Sequence, residues 1–125
     1  MKVISFELAK QLEELGFNKD SEYAYNNLAG GIFHKTEQNG ITCDGWTPAY
    51  TTDELLELLP KNICKDNEYF QLTIQKPSYA WIVHYFGDKN YGTFEDHLRI
   101  VWCNFLCDAL AKMLIWCIEE GHLEV

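Results

Sequence analysis

The chain has 125 residues, of which 47% are hydrophobic and 14% aromatic, and 19 Asp+Glu against 10 Lys+Arg give a formal net charge of −9. This length and apolar content exclude a disordered chain and point to one domain over residues 1–125 that buries about two-thirds of its unfolded surface. The acids are spread over both halves and Arg99 is the single guanidinium, which speaks against direct nucleic-acid binding.

The segment from Val3 to Leu15 interleaves apolar residues with Glu7, Lys10, Glu13 and Glu14, so it lacks the uninterrupted apolar run of a signal peptide. Its spacing predicts a helix from about Ser5 to Leu15, with Ser5 as N-cap, Leu8, Leu12 and Leu15 on the buried face, Gly16 in a left-handed stop and Phe17 packing back on the last turn. From Asn18 to Pro48 the periodicity is poor and the pairs Asn26-Asn27, Gly30-Gly31, Asn39-Gly40 and Asp44-Gly45 interrupt the chain. Within it, Gly31 to Thr36 and Ile41 to Trp46 read as paired strands turning near Asn39-Gly40. Thr51-x-x-Glu54 is a capping box, and the leucines after it predict a short helix stopped by Pro60.

Tyr69 to Gln75 and Tyr79 to Phe86 form the strongest β pattern, a hairpin closed by Lys76-Pro77-Ser78. Pairing Gln75 with Tyr79 would set Ile74 opposite Ala80, Leu72 opposite Ile82 and Phe70 opposite His84 on one face. The other face would carry Tyr69, Gln71, Thr73, Gln75, Tyr79, Trp81, Val83 and Tyr85. Thr93-x-x-Asp96 then opens one long C-terminal helix running to Gly121. Its polar positions His97, Asn104, Asp108, Lys112 and Glu119 share one arc, and the remaining circumference is apolar, as expected of a central rod or a subunit interface. Ile100 to Ile118 is long enough to test as a membrane span, but the Asn104, Asp108 and Lys112 stripe would place charges in lipid at about 3 kcal/mol each. No membrane segment is therefore expected. The order of elements reads as α+β: a small antiparallel sheet including a 69–86 hairpin, packed with a long C-terminal helix and two shorter helices.

No residue set points to a reaction. The five cysteines Cys43, Cys64, Cys103, Cys107 and Cys117 are odd in number and lack a CxxC pair, which suits reduced thiols in the cytoplasm. His34, His84, His97 and His122 fall in no metal-ligand spacing. Asp96, Cys103 and Cys107 lie close in azimuth on the last helix, but two thiols at i,i+4 leave a metal short of ligands and read better as small buried hydrophobes. His84 with a cysteine, or a pair of carboxylates, would be needed for a hydrolase, and nothing selects them. Gly30-Gly31 is followed by no phosphate-binding spacing. No catalytic residue, cofactor or metal is therefore expected. The candidate interaction surface is the aromatic set Tyr79, Trp81 and Tyr85 on the outer face of the hairpin.

Two segments, Thr47 to Pro60 (TPAYTTDELLELLP) and Asp108 to Gly121 (DALAKMLIWCIEEG), join an opening ELAKQL to Gly16-Phe17 and a Trp81-Ile82-Val83 strand. With these the chain resembles small uncharacterised proteins encoded in prophages and mobile elements of Bacteroides-type gut bacteria. The resemblance implies a bacterial cytoplasmic or phage setting and carries over no site residue. The expectation is a non-enzymatic accessory protein that binds another protein, with self-association through the last helix as one route. The alternative is an acidic, immunity-like antagonist or DNA mimic that binds a basic partner such as a nuclease.

Overall fold

The computed structural model describes residues 3–28, 30–35, 45–87 and 97–125. The elements are α1 (Phe6–Glu14), β1 (Tyr23–Asn26), β2 (Ile32–His34), β3 (Trp46–Pro48), α2 (Thr52–Leu58), β4 (Asn62–Lys65), β5 (Glu68–Gln75), β6 (Trp81–Gly87), β7 (His97–Cys103) and α3 (Leu106–Glu119). The strands form two antiparallel sheets, ordered β2-β1-β3 and β4-β5-β6-β7, so the architecture is α+β.

The first two helices start and stop where their side chains dictate. Ser5 Oγ accepts from the Leu8 N–H, and Thr51 and Glu54 close a reciprocal capping box on α2. After α1, Gly16 adopts φ +83° while the N–H groups of Gly16 and Phe17 donate to Glu13 and Leu12, a Schellman stop. Gly121, at φ +78°, ends α3 the same way, with His122 N–H donating to the Cys117 carbonyl.

Helix α3 is the central rod. Ala109, Leu110, Ala111, Met113, Leu114 and Cys117 are fully buried, and the helix packs on β6 and β7 as well as on α1 and α2. Much of the wide apolar arc is therefore buried inside the chain, while Leu106, Ile115, Trp116 and Ile118 are half-buried. The helix is also shorter than expected. The sequence before it, Leu98 to Cys103, is an extended strand pairing with β6, and α3 begins only at Leu106. The β-branched pair Ile100-Val101 and the adjoining tryptophan suit a pleated surface, and tertiary pairing overrides the helical spacing of the charges. The proposed Thr93–Asp96 cap lies outside the described residues.

The hairpin exists with a different register. Gln75 pairs with Ile82, Ile74 with Val83, Leu72 with Tyr85 and Phe70 with Gly87, three residues on from the expected pairing. An odd slip turns every side chain of one strand to the opposite face. Val83 and Tyr85, expected outside, are the inward residues, and Ile82 and His84 lie on the other face. The connection spans Lys76 to Ala80 rather than three residues. The register is pinned at its far end, where a Cβ on Gly87 would stand 2.7 Å from Glu68 Oε1 and 3.1 Å from the Phe70 ring. Only glycine leaves room for Phe70 there.

In the smaller sheet β2 forms as expected, but its partner is β1, with Ala24 opposite Phe33. Trp46 belongs to β3 and pairs with Asn26 on the other side of β1. The remainder of the expected partner strand, with its Asn39-Gly40 turn, lies outside the described residues. Strand β4 joins β5 through Asp66 and Asn67, at φ 55° and 63°, the two left-handed residues of a type I′ turn. Among the described residues, no helix is long and apolar enough to cross a membrane.

Candidate interaction surface

The register divides the expected aromatic trio. Tyr79, 91% exposed, stands in the connection between β5 and β6, whereas Tyr85 is 0% exposed on the face packed against α3. Its hydroxyl donates to the Pro60 carbonyl at 2.7 Å, its ring lies 6.2 Å from that of Trp116, and Cys117 Sγ donates to its oxygen at 3.8 Å. Burial pushes the Tyr85 phenol well above its usual range and pushes the Cys117 thiol up to about 11. Tyr85 is thus a core tie and is removed from the interaction surface. Trp81 shares that inward parity at the start of β6 and is half-buried, with Lys76 Nζ 5.1 Å from its ring centroid.

The outer face of the larger sheet is built from other residues. Gln75, Ile82 and Trp102 lie side by side across β5, β6 and β7, and Thr73, His84 and Ile100 form the next row. The β5 side of this face is polar and the β6–β7 side apolar. Large aromatic side chains stand in solvent at opposite corners: Tyr69 is 68% exposed and Trp102 56%. Phe105, which caps α3 without a side-chain hydrogen bond, is similarly exposed beyond Trp102. Trp102 and Phe105 were hidden from sequence reasoning by their assignment to a helix. The alternation of Leu98, Ile100 and Trp102 was the signal available.

Among the described residues, strand β7 is an edge of this sheet. A groove of about 420 Å³ borders it, lined by Arg99, Ile100, Val101 and Trp102 on one side and by Lys112, Ile115, Trp116 and Glu119 of α3, with Gln11 of α1, on the other. A second hollow, of about 540 Å³, is acidic: Glu22, Asp53, Glu54 and Glu57 border it beside Tyr23 and the start of α2. Glu54 is committed there to structure. Its Oε1 accepts from Ser21 Oγ and the Thr51 N–H, and its Oε2 from the Glu22 N–H, each at 2.9 Å.

His84 is buried in the outer face with its ring 5.8 Å from that of Phe86. Among the described residues, no group of three or more His, Cys, Asp and Glu side chains is placed to hold a metal ion. Cys103 and Cys107 fall in different elements, one at the end of β7 and one in the first turn of α3, so the azimuth that related them on a continuous helix does not apply. No protein-family model, curated protein or solved structure matches this chain.

Proposed function

We propose that this protein acts by binding another protein, without chemistry of its own, through the aromatic outer face and edge of its four-stranded sheet. The observation that carries this reading is the exposure of Tyr69 and Trp102 on one sheet face while the core is already filled. Large exposed rings next to partly buried apolar neighbours are the composition of a protein-binding patch. The setting we infer, from the sequence resemblance and the cysteine usage, is the bacterial cytoplasm, as the product of a prophage or mobile element.

The test is affinity capture from an extract of the source cells with the wild-type chain and with a Tyr69→Ala/Trp102→Ala variant that keeps its far-ultraviolet circular dichroism. A defined partner held by the wild type and lost by the variant is expected. Equal recovery by both would overturn the assignment to this face. The second reading, an acidic antagonist of a basic partner such as a nuclease, is favoured by the hollow bordered by Glu22, Asp53 and Glu57 on a chain of charge −9. It requires the captured partner to be basic, to be released by salt and to be lost on Asp53→Asn/Glu57→Gln substitution.

A further inference from the structure

The two edges of the larger sheet differ. β4 is four residues long and ends in an exposed lysine, features that discourage further pairing. β7 is seven residues long, reads HLRIVWC, and carries neither proline nor glycine. Among the described residues, the backbone groups from Leu98 to Cys103 bond only to β6. In an antiparallel edge strand half of the N–H and C=O groups point away from the sheet. Those of β7 point toward the groove. Successive side chains of a strand leave on opposite faces, so four consecutive residues, Arg99 to Trp102, border one cavity only if the backbone edge itself faces it.

The charge of this groove is opposite to that of the molecule. Arg99 is the single arginine of the chain, and Lys112 reaches the same cavity from α3. Among the described residues neither forms an ion pair. Glu119 also borders the groove, which leaves it with a net positive charge on a protein of net charge −9. A guanidinium fork accepts a carboxylate through two parallel hydrogen bonds.

We propose that the open edge of β7 takes up an extended peptide segment of a partner protein as a fifth strand, with Arg99 and Lys112 receiving its carboxylate side chains. Arg99 and Val101 share the face toward α3, and Ile100 and Trp102 share the outer face. A strand laid beside them therefore presents acidic residues toward α3 and, at the alternating positions, bulky apolar residues beside Ile100 and Trp102. A second copy of this chain, paired β7 to β7, would gather two Arg99 and two Lys112 side chains on one seam. Charge thus favours an acidic segment over self-pairing. The proposal rests on the protein-binding reading above and supplies its partner chemistry.

The experiment titrates the full chain with a capped synthetic peptide of alternating valine and glutamate, followed by amide chemical shifts and by the Trp102 indole. Saturable binding with shifts centred on Leu98 to Cys103 is expected. Affinity should fall at least about tenfold in Arg99→Gln/Lys112→Gln and with the lysine version of the peptide. It should also be lost when alternate peptide nitrogens on the edge-facing side are methylated, since that removes donors and leaves charge and side chains in place. Equal affinity for the lysine or methylated peptide would overturn the proposal, as would shifts centred away from β7 or no saturation up to about 1 mM. A dimer in sedimentation that protects the β7 amides would replace the acidic segment by a second copy and so overturn it as well. If the peptide fails while a cellular partner is still retained through Tyr69 and Trp102, the edge proposal falls alone. If no partner is retained either, the protein-binding reading falls with it.

Discussion

At the scale of single residues, Glu54 ties several segments together. It closes the capping box of α2, and it also holds Ser21 and the Glu22 N–H at the entry to β1, more than thirty positions earlier in sequence. Charge-assisted bonds to two N–H groups and a hydroxyl are stronger than neutral ones, and losing a cap alone costs about 1 kcal/mol. Glu54→Ala should therefore destabilise the chain by about 2 kcal/mol, read as a lower urea midpoint with an unchanged slope. Glu57→Ala, on the same acidic rim, is the control. Glu57 makes no hydrogen bond among the described residues, and its removal should shift the midpoint little. An equal loss in both variants would mean that rim charge, rather than the Glu54 tie, sets the effect.

At the scale of elements, what the sequence revealed depended on whether a local signal marked the boundary. α1 and α2 are legible because Ser5, Gly16, the Thr51–Glu54 box and Pro60 each encode a start or a stop. The hairpin is legible as two alternating runs, but nothing in Lys76 to Ala80 counts the turn, so its register slipped by three and Tyr85 moved from an expected docking face into the core. β7 was missed because Asn104, Asp108 and Lys112 repeat at helical spacing across the strand–helix junction, and because the N-cap of α3 is Phe105, a residue with no capping group. Arg99 and Trp102, central to the candidate site, were hidden by the same junction. β4 was missed although Asp66-Asn67 is a pair that tolerates left-handed backbone.

The uncapped junction makes its own prediction. Phe105 has the extended backbone of an N-cap, φ −117° and ψ 131°, and its own side chain offers the first N–H groups of α3 no acceptor. Phe105→Ala removes the ring, and Phe105→Ser removes the same ring but adds the acceptor. The serine variant should be more stable than the alanine variant by about 1 kcal/mol. Thermal unfolding of the two side by side measures this. Identical melting would show that the α3 N-terminus is satisfied in another way. If Phe105 also serves the binding surface, both variants should lose partner affinity to the same degree, which separates a ring kept for contact from one kept for stability.

At the scale of the whole molecule, three tyrosine hydroxyls join segments that lie far apart in the sequence. Tyr25 Oη donates to the Ile4 carbonyl at 2.6 Å, tying β1 to the segment before α1. Tyr50 Oη donates to the Lys19 carbonyl and accepts its N–H, tying the chain after β3 to the chain after α1. Tyr85 Oη ties β6 to the residue after α2. All three rings are buried, and desolvation is the main reason each phenol is raised, Tyr50 to about 12, with the Asp108 charge adding to it at Tyr25. Below pH 10 these phenols carry their protons in both folded and unfolded chains, and their contribution is fully present. Above it the unfolded chain ionises first and binds fewer protons than the folded one, so stability must fall as pH rises, for Tyr50 between 10.0 and about 12. Tyr50 alone accounts for on the order of 3 kcal/mol over that window. Urea midpoints should be level from about pH 7 to 9 and then drop steeply above about pH 10, with the phenolate absorbance of these three residues appearing together with unfolding. Tyr85→Phe separates the tie from the titration. It should lower stability at neutral pH by about 1–3 kcal/mol, because the Pro60 carbonyl loses its donor, yet make the alkaline fall shallower, because one raised phenol is gone. A stability profile that stays level through about pH 11, or an alkaline fall that Tyr85→Phe leaves equally steep, would mean that the buried hydroxyls do not govern the alkaline limit of this fold.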